Sequence, residues 1–194
     1  MENIQLKTIQ DTEHSYHLIE TADQRQDLIS TLSNHLISTS DICFDTETTG
    51  LDAIQCELVG MSFSIKEHEG YYIPLPADRD QTVSILNEFK SLFEHEAITW
   101  IGQNIKYDML VLKNYGFELQ GKLWDTMLAH YCFEPEGKRS MDLLSAQYLQ
   151  YEPVHIEELI GKKGKDQLSM RDADLEKMKY AVDRTCPCVD LPRR

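Results

Sequence analysis

Asp41-Ile-Cys-Phe-Asp-Thr-Glu-Thr-Thr-Gly50 is an apolar run that stops at a polar Thr/Gly cluster, the pattern of a buried strand ending in an irregular loop. Successive side chains of a strand project to opposite faces, so Asp45 and Glu47 stand side by side on one face at the strand end. Two carboxylates so placed repel each other unless a cation lies between them. Hard oxygen donors of this kind suit Mg²⁺ or Mn²⁺. A solvated acidic turn could carry the same two acids, but Ile42, Cys43 and Phe44 run directly into Asp45. That carboxylate is therefore partly buried, and burial of a charge demands a partner.

Outward from this strand the pattern is regular. Ser15 to Glu20 alternates as a strand, and Leu28, Ile29, Leu32, Leu36 and Ile37 recur at helical spacing. Leu58 to Ile65 and Gly70 to Leu75 are two further strands joined by the charged turn Lys66 to Glu69, which makes an antiparallel meander. From Asp80 the period lengthens, with Val83, Leu86, Phe89, Leu92 and Phe93 on one helix face, and Ala97 to Ile101 returns to strand character. A helix from Asn104 to about Tyr115 is closed by Gly116, at a position that favours a left-handed residue. Residues 125–133, 140–149 and 171–180 read as helices, the first two starting at N-caps Asp125 and Ser140. The expected fold is an α/β domain with the sheet formed early and covered by the later helices.

Ile101-Gly-Gln-Asn-Ile-Lys-Tyr-Asp108 adds the third acid. Asn104 is placed to cap the helix, and Asp108 lies one turn further along the same face, directed back toward the strand ends. Asp45, Glu47 and Asp108 thus gather at strand-end and helix-start positions, where α/β sites tend to form.

The 194 residues, 41% hydrophobic and 27% charged, make one ordinary globular domain that needs no disulfide or metal to hold its core. Nineteen Lys+Arg against 33 Asp+Glu give a net charge of -14, which excludes a protein that grips nucleic acid by bulk positive potential. Reaching a phosphate through divalent cations stays open. The five cysteines read as reduced thiols, buried for the most part, and Cys186-Pro-Cys188 as inert. The first twenty residues carry neither a basic nor an apolar leader segment, and no run of about 18 apolar residues occurs; a soluble, cytoplasmic protein without membrane contact is expected. The loop Gly161-Lys-Lys-Gly-Lys165 is either a solvated connection or a DNA contact.

Phe44-Asp-Thr-Glu-Thr-Thr-Gly-Leu51 followed by Gly102-Gln-Asn-Ile-Lys-Tyr-Asp108 resembles the first two motifs of the DEDD superfamily of 3′–5′ exonucleases. Trp124 to Met127, Ser140 to Leu144 with Tyr148-Leu149, Gly161 to Gln167 and Leu175 to Ala181 resemble, more narrowly, the proofreading domain of bacterial family A DNA polymerases. The similarity spans about residues 15 to 182. It implies a ribonuclease H-like fold, with an antiparallel meander plus parallel strands, and two-metal removal of nucleotides from a single-stranded or frayed DNA 3′ end. By this resemblance Asp45 bridges two divalent cations, Mg²⁺ or Mn²⁺. Glu47 binds the one that activates water, and Asp108 binds the second. Thr48 and Leu51 match positions that hold the terminal nucleotide, although Leu51 reads equally well as a core leucine. Gln103 and Asn104 match positions around the substrate.

The family's third motif is Tyr-x-x-x-Asp, whose tyrosine orients the attacking water and whose aspartate completes the first metal's ligands. Here Tyr180-Ala-Val is followed by Asp183 one residue early, and position 184 is Arg. A guanidinium at the ligand position would repel cations, and Thr185-Cys-Pro-Cys188 is expected to break the helix. Residues 1–183 are accordingly read as the exonuclease-like domain and 184–194 as an atypical tail, such as a truncation or shifted reading frame leaves. With the fourth ligand, Asp183, one residue short of the family's spacing, an impaired enzyme is the expectation. Two other readings stay in play: a non-catalytic module that binds DNA or a partner, and a ribonuclease D-like enzyme that trims RNA. A polymerase domain would lie outside this chain.

Overall fold

A computed structural model describes residues 5–162, 164, 167–185 and 187–190. Lys163 and Lys165 of the basic loop, Cys186 and the last four residues of the tail lie outside the described residues. Chain order is β1 (Ser15–Leu18), α1 (Ala22–His35), β2 (Asp41–Thr48), β3 (Leu58–Lys66), β4 (Glu69–Pro74), α2 (Arg79–Glu88), α3 (Lys90–Phe93), β5 (Thr99–Gly102), α4 (Ile105–Asn114), β6 (Lys122–Asp125) and α5 (Thr126–Phe133). Then come α6 (Met141–Leu144), α7 (Ile156–Ile160), α8 (Leu175–Met178), α9 (Val182–Thr185) and α10 (Pro187–Asp190).

The six strands form one sheet in the order β1-β4-β3-β2-β5-β6. The expected meander is present: β2, β3 and β4 pair antiparallel, while β5 and β6 lie parallel on the far side of β2 and β1 runs parallel to β4. Strand β2 is therefore central, and its end is the place where loops from both halves of the sheet meet. Ile42 and Phe44 enter a core with α1, α2, α3 and α4, in which Phe44 packs on Phe63 at 5.2 Å and Phe63 on Phe89 at 5.5 Å between ring centroids. Cys43 faces the other way, toward Ile101, Met141, Leu144 and Cys188. The alternation makes Asp45 and Glu47 continue the Cys43 face and Thr46 the Phe44 face.

Several local readings change. The helix expected from Asp80 to Phe93 divides at Phe89, whose φ of -91° and ψ of 0° end α2; the bend lets Phe89 and Phe93 both reach the aromatic core. Strand β6 was not expected, because its four residues run straight into the N-cap of α5 and leave no separate pattern. Asp125 caps α5 through Met127 N (2.9 Å) and Leu128 N (3.1 Å), whereas Ser140 makes no side-chain cap bond. The stretch after α6, Ser145–Leu149, is a π-helical turn, and residues 171–180 are short 3₁₀ and α pieces rather than one helix. Ile37 lies beyond α1 and is exposed, and Cys132 is an exposed thiol.

At the break expected around Cys186, α10 starts anew on Pro187, the first-turn position that tolerates proline. Cys188 is buried against Cys43, so this part of the tail covers the face of β2 that carries the acids. Among the described residues no helix is long and apolar enough to cross a membrane.

Candidate active site

The end of β2 carries the first two of the acids singled out in the sequence. Asp45 pairs with Ser62 and Glu47 with Gly60 on β3, and a register shift between Glu47 and Thr48 marks a bulge where the strand leaves the sheet. Such a bulge re-aims the following side chain. Gly60 is required opposite Glu47: a Cβ there would lie 2.2 Å from the Tyr72 hydroxyl, so the missing side chain makes room for that phenol beside the carboxylate. Glu47's charge and burial together hold the Tyr72 hydroxyl above its ordinary range, with burial the larger cause.

Asp45 and Glu47 keep some solvent access but are crowded by protein. Burial pushes Asp45 up to about 6, against the opposing pull of the Arg184 charge. Glu47 is pushed to about 8, by burial first and by the Asp45 charge second, and Arg184 again opposes. Asp108 arrives from α4 on the other side of the sheet and is 2% exposed. Its Oδ1 accepts from Thr46 N–H at 2.9 Å and from Thr46 Oγ1 at 2.6 Å. Burial and then the Asp45 charge hold Asp108 well above the usual carboxylate range despite those bonds. Asp45 is thus the electrostatic centre, with Glu47 beside it and Asp108 reaching it past the strand edge. Thr46, which the sequence reading passed over, locks that geometry; its place between the two acids in alternating register was the available signal.

The surrounding positions divide in kind. Leu51 is 97% exposed, which removes the core-leucine reading and leaves an apolar side chain projecting beside the site. Thr48 Oγ1 is 2.8 Å from Gly50 O and 2.6 Å from the Tyr107 hydroxyl, which also donates to Gly50 O at 2.6 Å, so the loop after β2 is tied to α4. Asn104 occupies the N-cap of α4 in the left-handed region, φ 61° and ψ 41°, with no side-chain cap bond, and its N–H donates to Asp125 Oδ1 at 3.2 Å. Left-handed geometry is tolerable for Asn more than for most residues. The expected side-chain cap is therefore not made. Gln103 Nε2 donates to Arg139 O at 2.6 Å, and its Oε1 accepts from Thr126 Oγ1, which clamps the start of α4 to α5.

The third motif is placed differently from the first two. Asp183 is fully buried, and its carboxylate is taken up by the Tyr16 hydroxyl (2.5 Å) and Tyr151 hydroxyl (2.6 Å) on Oδ1 and by Val154 N–H (2.8 Å) on Oδ2. Tyr180 lies with its ring edge-on to Tyr16, 6.3 Å between centroids, and near His14. The residue whose charge reaches Asp45 and Glu47 is Arg184. Its Nη1 donates to Asp142 Oδ1 at 2.9 Å and to Val154 O at 3.2 Å.

The donor set of Asp45, Glu47 and Asp108 fits a hard divalent cation in kind, because mutual repulsion holds protons on acids that a cation would otherwise neutralise. Among the described residues, no three His, Cys, Asp or Glu side chains stand close enough together to hold a metal ion as they are. Asp108 is turned to Thr46 instead.

Comparison with known proteins agrees with the motif reading. The sequence model of a family described as 3′–5′ exonuclease matches residues 16–183. DNA polymerase I of Borreliella burgdorferi is 38% identical over 156 residues, covering 78% of this chain and 17% of that protein. The chain thus spans about a sixth of that relative's length. Among solved structures, RNase D of Trypanosoma brucei superposes with a TM-score of 0.69 at 12% identity, over 92% of this chain and 64% of that one. Brucella melitensis NrnC with bound Mg²⁺ gives 0.64 at 15% identity, over 93% and 78%. At such identities these two likenesses establish the ribonuclease H-like fold and nothing further.

Proposed function

We propose that this chain, which belongs to the 3′–5′ exonuclease family of DNA polymerase I type, hydrolyses nucleotides from single-stranded or frayed DNA 3′ ends with two divalent cations. The observation that carries the reading is the trio Asp45, Glu47 and Asp108 at the end of β2, all held above their ordinary range by burial, with the Asp45 charge raising Glu47 and Asp108 further. Carboxylates perturbed in this way concentrate at functional sites.

In this reading Asp45, Glu47 and Asp108 would hold the divalent cations, Mg²⁺ or Mn²⁺, with Asp45 serving both, Glu47 one and Asp108 the other. When bound, they lower the pKa of the attacking water and stabilise the leaving 3′ oxygen of an in-line displacement. Thr46 keeps Asp108 aimed at the strand end. Exposed Leu51 wedges against the last base, and Thr48 and Asn104 hold the terminal nucleotide. Gln103 acts through its clamp between α4 and α5. Tyr180 is assigned to orient the attacking water. The net charge of -14 opposes approach to DNA, so the isolated chain binds it weakly and depends on the cations. The cytoplasm, with a polymerase domain as covalent or bound partner, is the setting that fits a proofreading role.

A specific observation favours a second reading, a non-catalytic module that binds DNA or a partner: Arg184 occupies the position at which the family's motif has its fourth acid, and its charge acts on Asp45 and Glu47. The test is digestion of a 5′-labelled single-stranded oligodeoxynucleotide, with the RNA of the same sequence alongside. The enzyme reading predicts a 3′-shortening ladder on DNA that needs Mg²⁺ or Mn²⁺ and is lost in Asp45→Ala, Glu47→Ala and Asp108→Ala. No ladder with saturating metal, or an undiminished one from Asp45→Ala, contradicts it, and preference for RNA makes the substrate assignment wrong.

A further inference from the structure

We infer that Ile54 is a second apolar contact for the unpaired strand, gripping the third base from the 3′ end on a loop that α4 and Arg171 hold in place. The inference rests on the reading of Leu51 as the contact to the last base.

Residues 49–57 connect β2 to β3, and the loop closes on itself. Thr49 N–H donates to Glu57 O at 3.0 Å, and Glu57 N–H donates to Thr49 Oγ1 at 2.9 Å. Ala53 turns inward and is buried in the main core, with Cys56 packed against it. Leu51 and Ile54 turn outward, 97% and 74% exposed. A pliable loop would fold two such side chains inward, out of water. This one is pinned from outside. The Tyr107 hydroxyl donates to Gly50 O at 2.6 Å, and Asn114 Nδ2 donates to Ala53 O at 2.6 Å and Ile54 O at 3.3 Å. Where the loop enters β3, Leu58 N–H donates to the Tyr115 hydroxyl at 3.0 Å, and Arg171 Nη2 donates to Leu58 O at 2.9 Å. Compact loops with joined ends are frequently functional.

The pins also give the loop a direction. Tyr107 lies in the first turn of α4, next to Asp108, and Asn114 is the last residue of that helix, roughly 10 Å further along its axis. The chain from Gly50 to Ile54 therefore runs along α4 and away from the acids. Three residues span at most about 10 Å, and successive bases of a stacked strand are about 3.4 Å apart. With the last base at Leu51, Ile54 is within reach of the base two places before it. Isoleucine offers no polar atom, so this contact is blind to base identity and needs only a base free of its complement. That suits an enzyme that shortens unpaired ends of any sequence.

The test is a cycle of two changes, Ile54→Ser in the chain and an abasic site at the third place from the 3′ end of a 5′-fluorescein thymidine hexanucleotide. Affinity is read by anisotropy at low salt, with Ca²⁺ in place of Mn²⁺. Each change alone should weaken binding about fivefold, the low end of base contacts to a side chain, and the two together should cost no more than one. Ile54→Val should stay near the parent, and the melting temperature of Ile54→Ser should equal the parent's, because the side chain is exposed. Losses that multiply, or an Ile54→Ser chain that binds the intact hexanucleotide as the parent does, overturn the inference. Release of the 3′ nucleotide with Mn²⁺ is measured alongside. Coupled losses without release by any chain leave the inference standing and refute the nuclease. Release without coupled losses overturns the inference alone, and a parent that neither binds nor cleaves refutes both.

Discussion

Thr46 binds one oxygen of Asp108 twice, through its backbone N–H at 2.9 Å and its hydroxyl at 2.6 Å. The residue lies between Asp45 and Glu47 on the opposite face of β2, so a single threonine fixes the distance between the two acids of the strand and the acid of α4. Thr46→Val preserves shape and the backbone bond but removes the hydroxyl. It should lower stability by about 1–2 kcal/mol, the scale of a buried hydrogen bond to a carboxyl group, and reduce Mn²⁺ affinity. Urea unfolding in EDTA, with Mn²⁺ titration of the folded variant, checks both; unchanged affinity would mean that Asp108 is aimed without Thr46.

The raised acids give the metal-free protein a pH dependence of definite sign. Asp45, at about 6, and Glu47, at about 8, hold their protons more tightly folded than unfolded, where carboxyl groups titrate near 4. The folded state therefore carries the excess protons, and stability falls as pH rises. Their contribution is fully present below about pH 4 and is lost as pH passes 6 and then 8. Melting temperature in EDTA should decline across that window, and saturating Mg²⁺ or Mn²⁺ should flatten the decline, with proton release on binding at pH 7. A melting temperature that climbs from pH 5 to 8 without metal would contradict the electrostatics of the site.

Asp183 and Asp45 should respond in opposite ways to truncation. Asp183→Ala strips the acceptor from two buried hydroxyls and one N–H, and should cost roughly 3 kcal/mol. Asp45→Ala removes a crowded charge that repels Glu47 and Asp108, and should leave stability equal or higher while removing cleavage. Urea unfolding of the two variants side by side decides this, and the reverse order of stabilities would exchange their roles.

The fold was legible where pattern and length agreed. The alternation of β2, the two strands of the meander and the helix opened by Asn104 all carry enough residues to show a period. The four residues of β6 and the five of α7 do not, and they owe their form to pairing with β5 and to burial of Leu159 and Ile160. Local register alone places Asp45 and Glu47 on one face of β2 and Asp108 one turn into α4, but not the bonds by which Thr46 takes up Asp108. The roles of Thr46, Asp142 and Arg184 depend on contacts between segments distant in sequence, between β2 and α4 and between α6 and α9. Asp183 shows the same limit. Spacing from Tyr180 raised doubt about it as a ligand, but only the positions of Tyr16 and Tyr151 reveal what else its carboxylate does.

Four residues after Tyr180, where the family's third motif has its last acid, this chain has Arg184. Asp183 already has a structural place, and Arg184→Asp puts a further carboxylate four residues after Tyr180, the spacing of the family's third motif. The measurement is the single-turnover rate of 3′ nucleotide release from a single-stranded oligodeoxynucleotide at saturating Mn²⁺, parent against Arg184→Asp. The predicted result is a rise of roughly 10²-fold, the scale at which completing a metal site's ligands acts. Equal rates for the two chains, or absence of cleavage by both with metal bound, would contradict it.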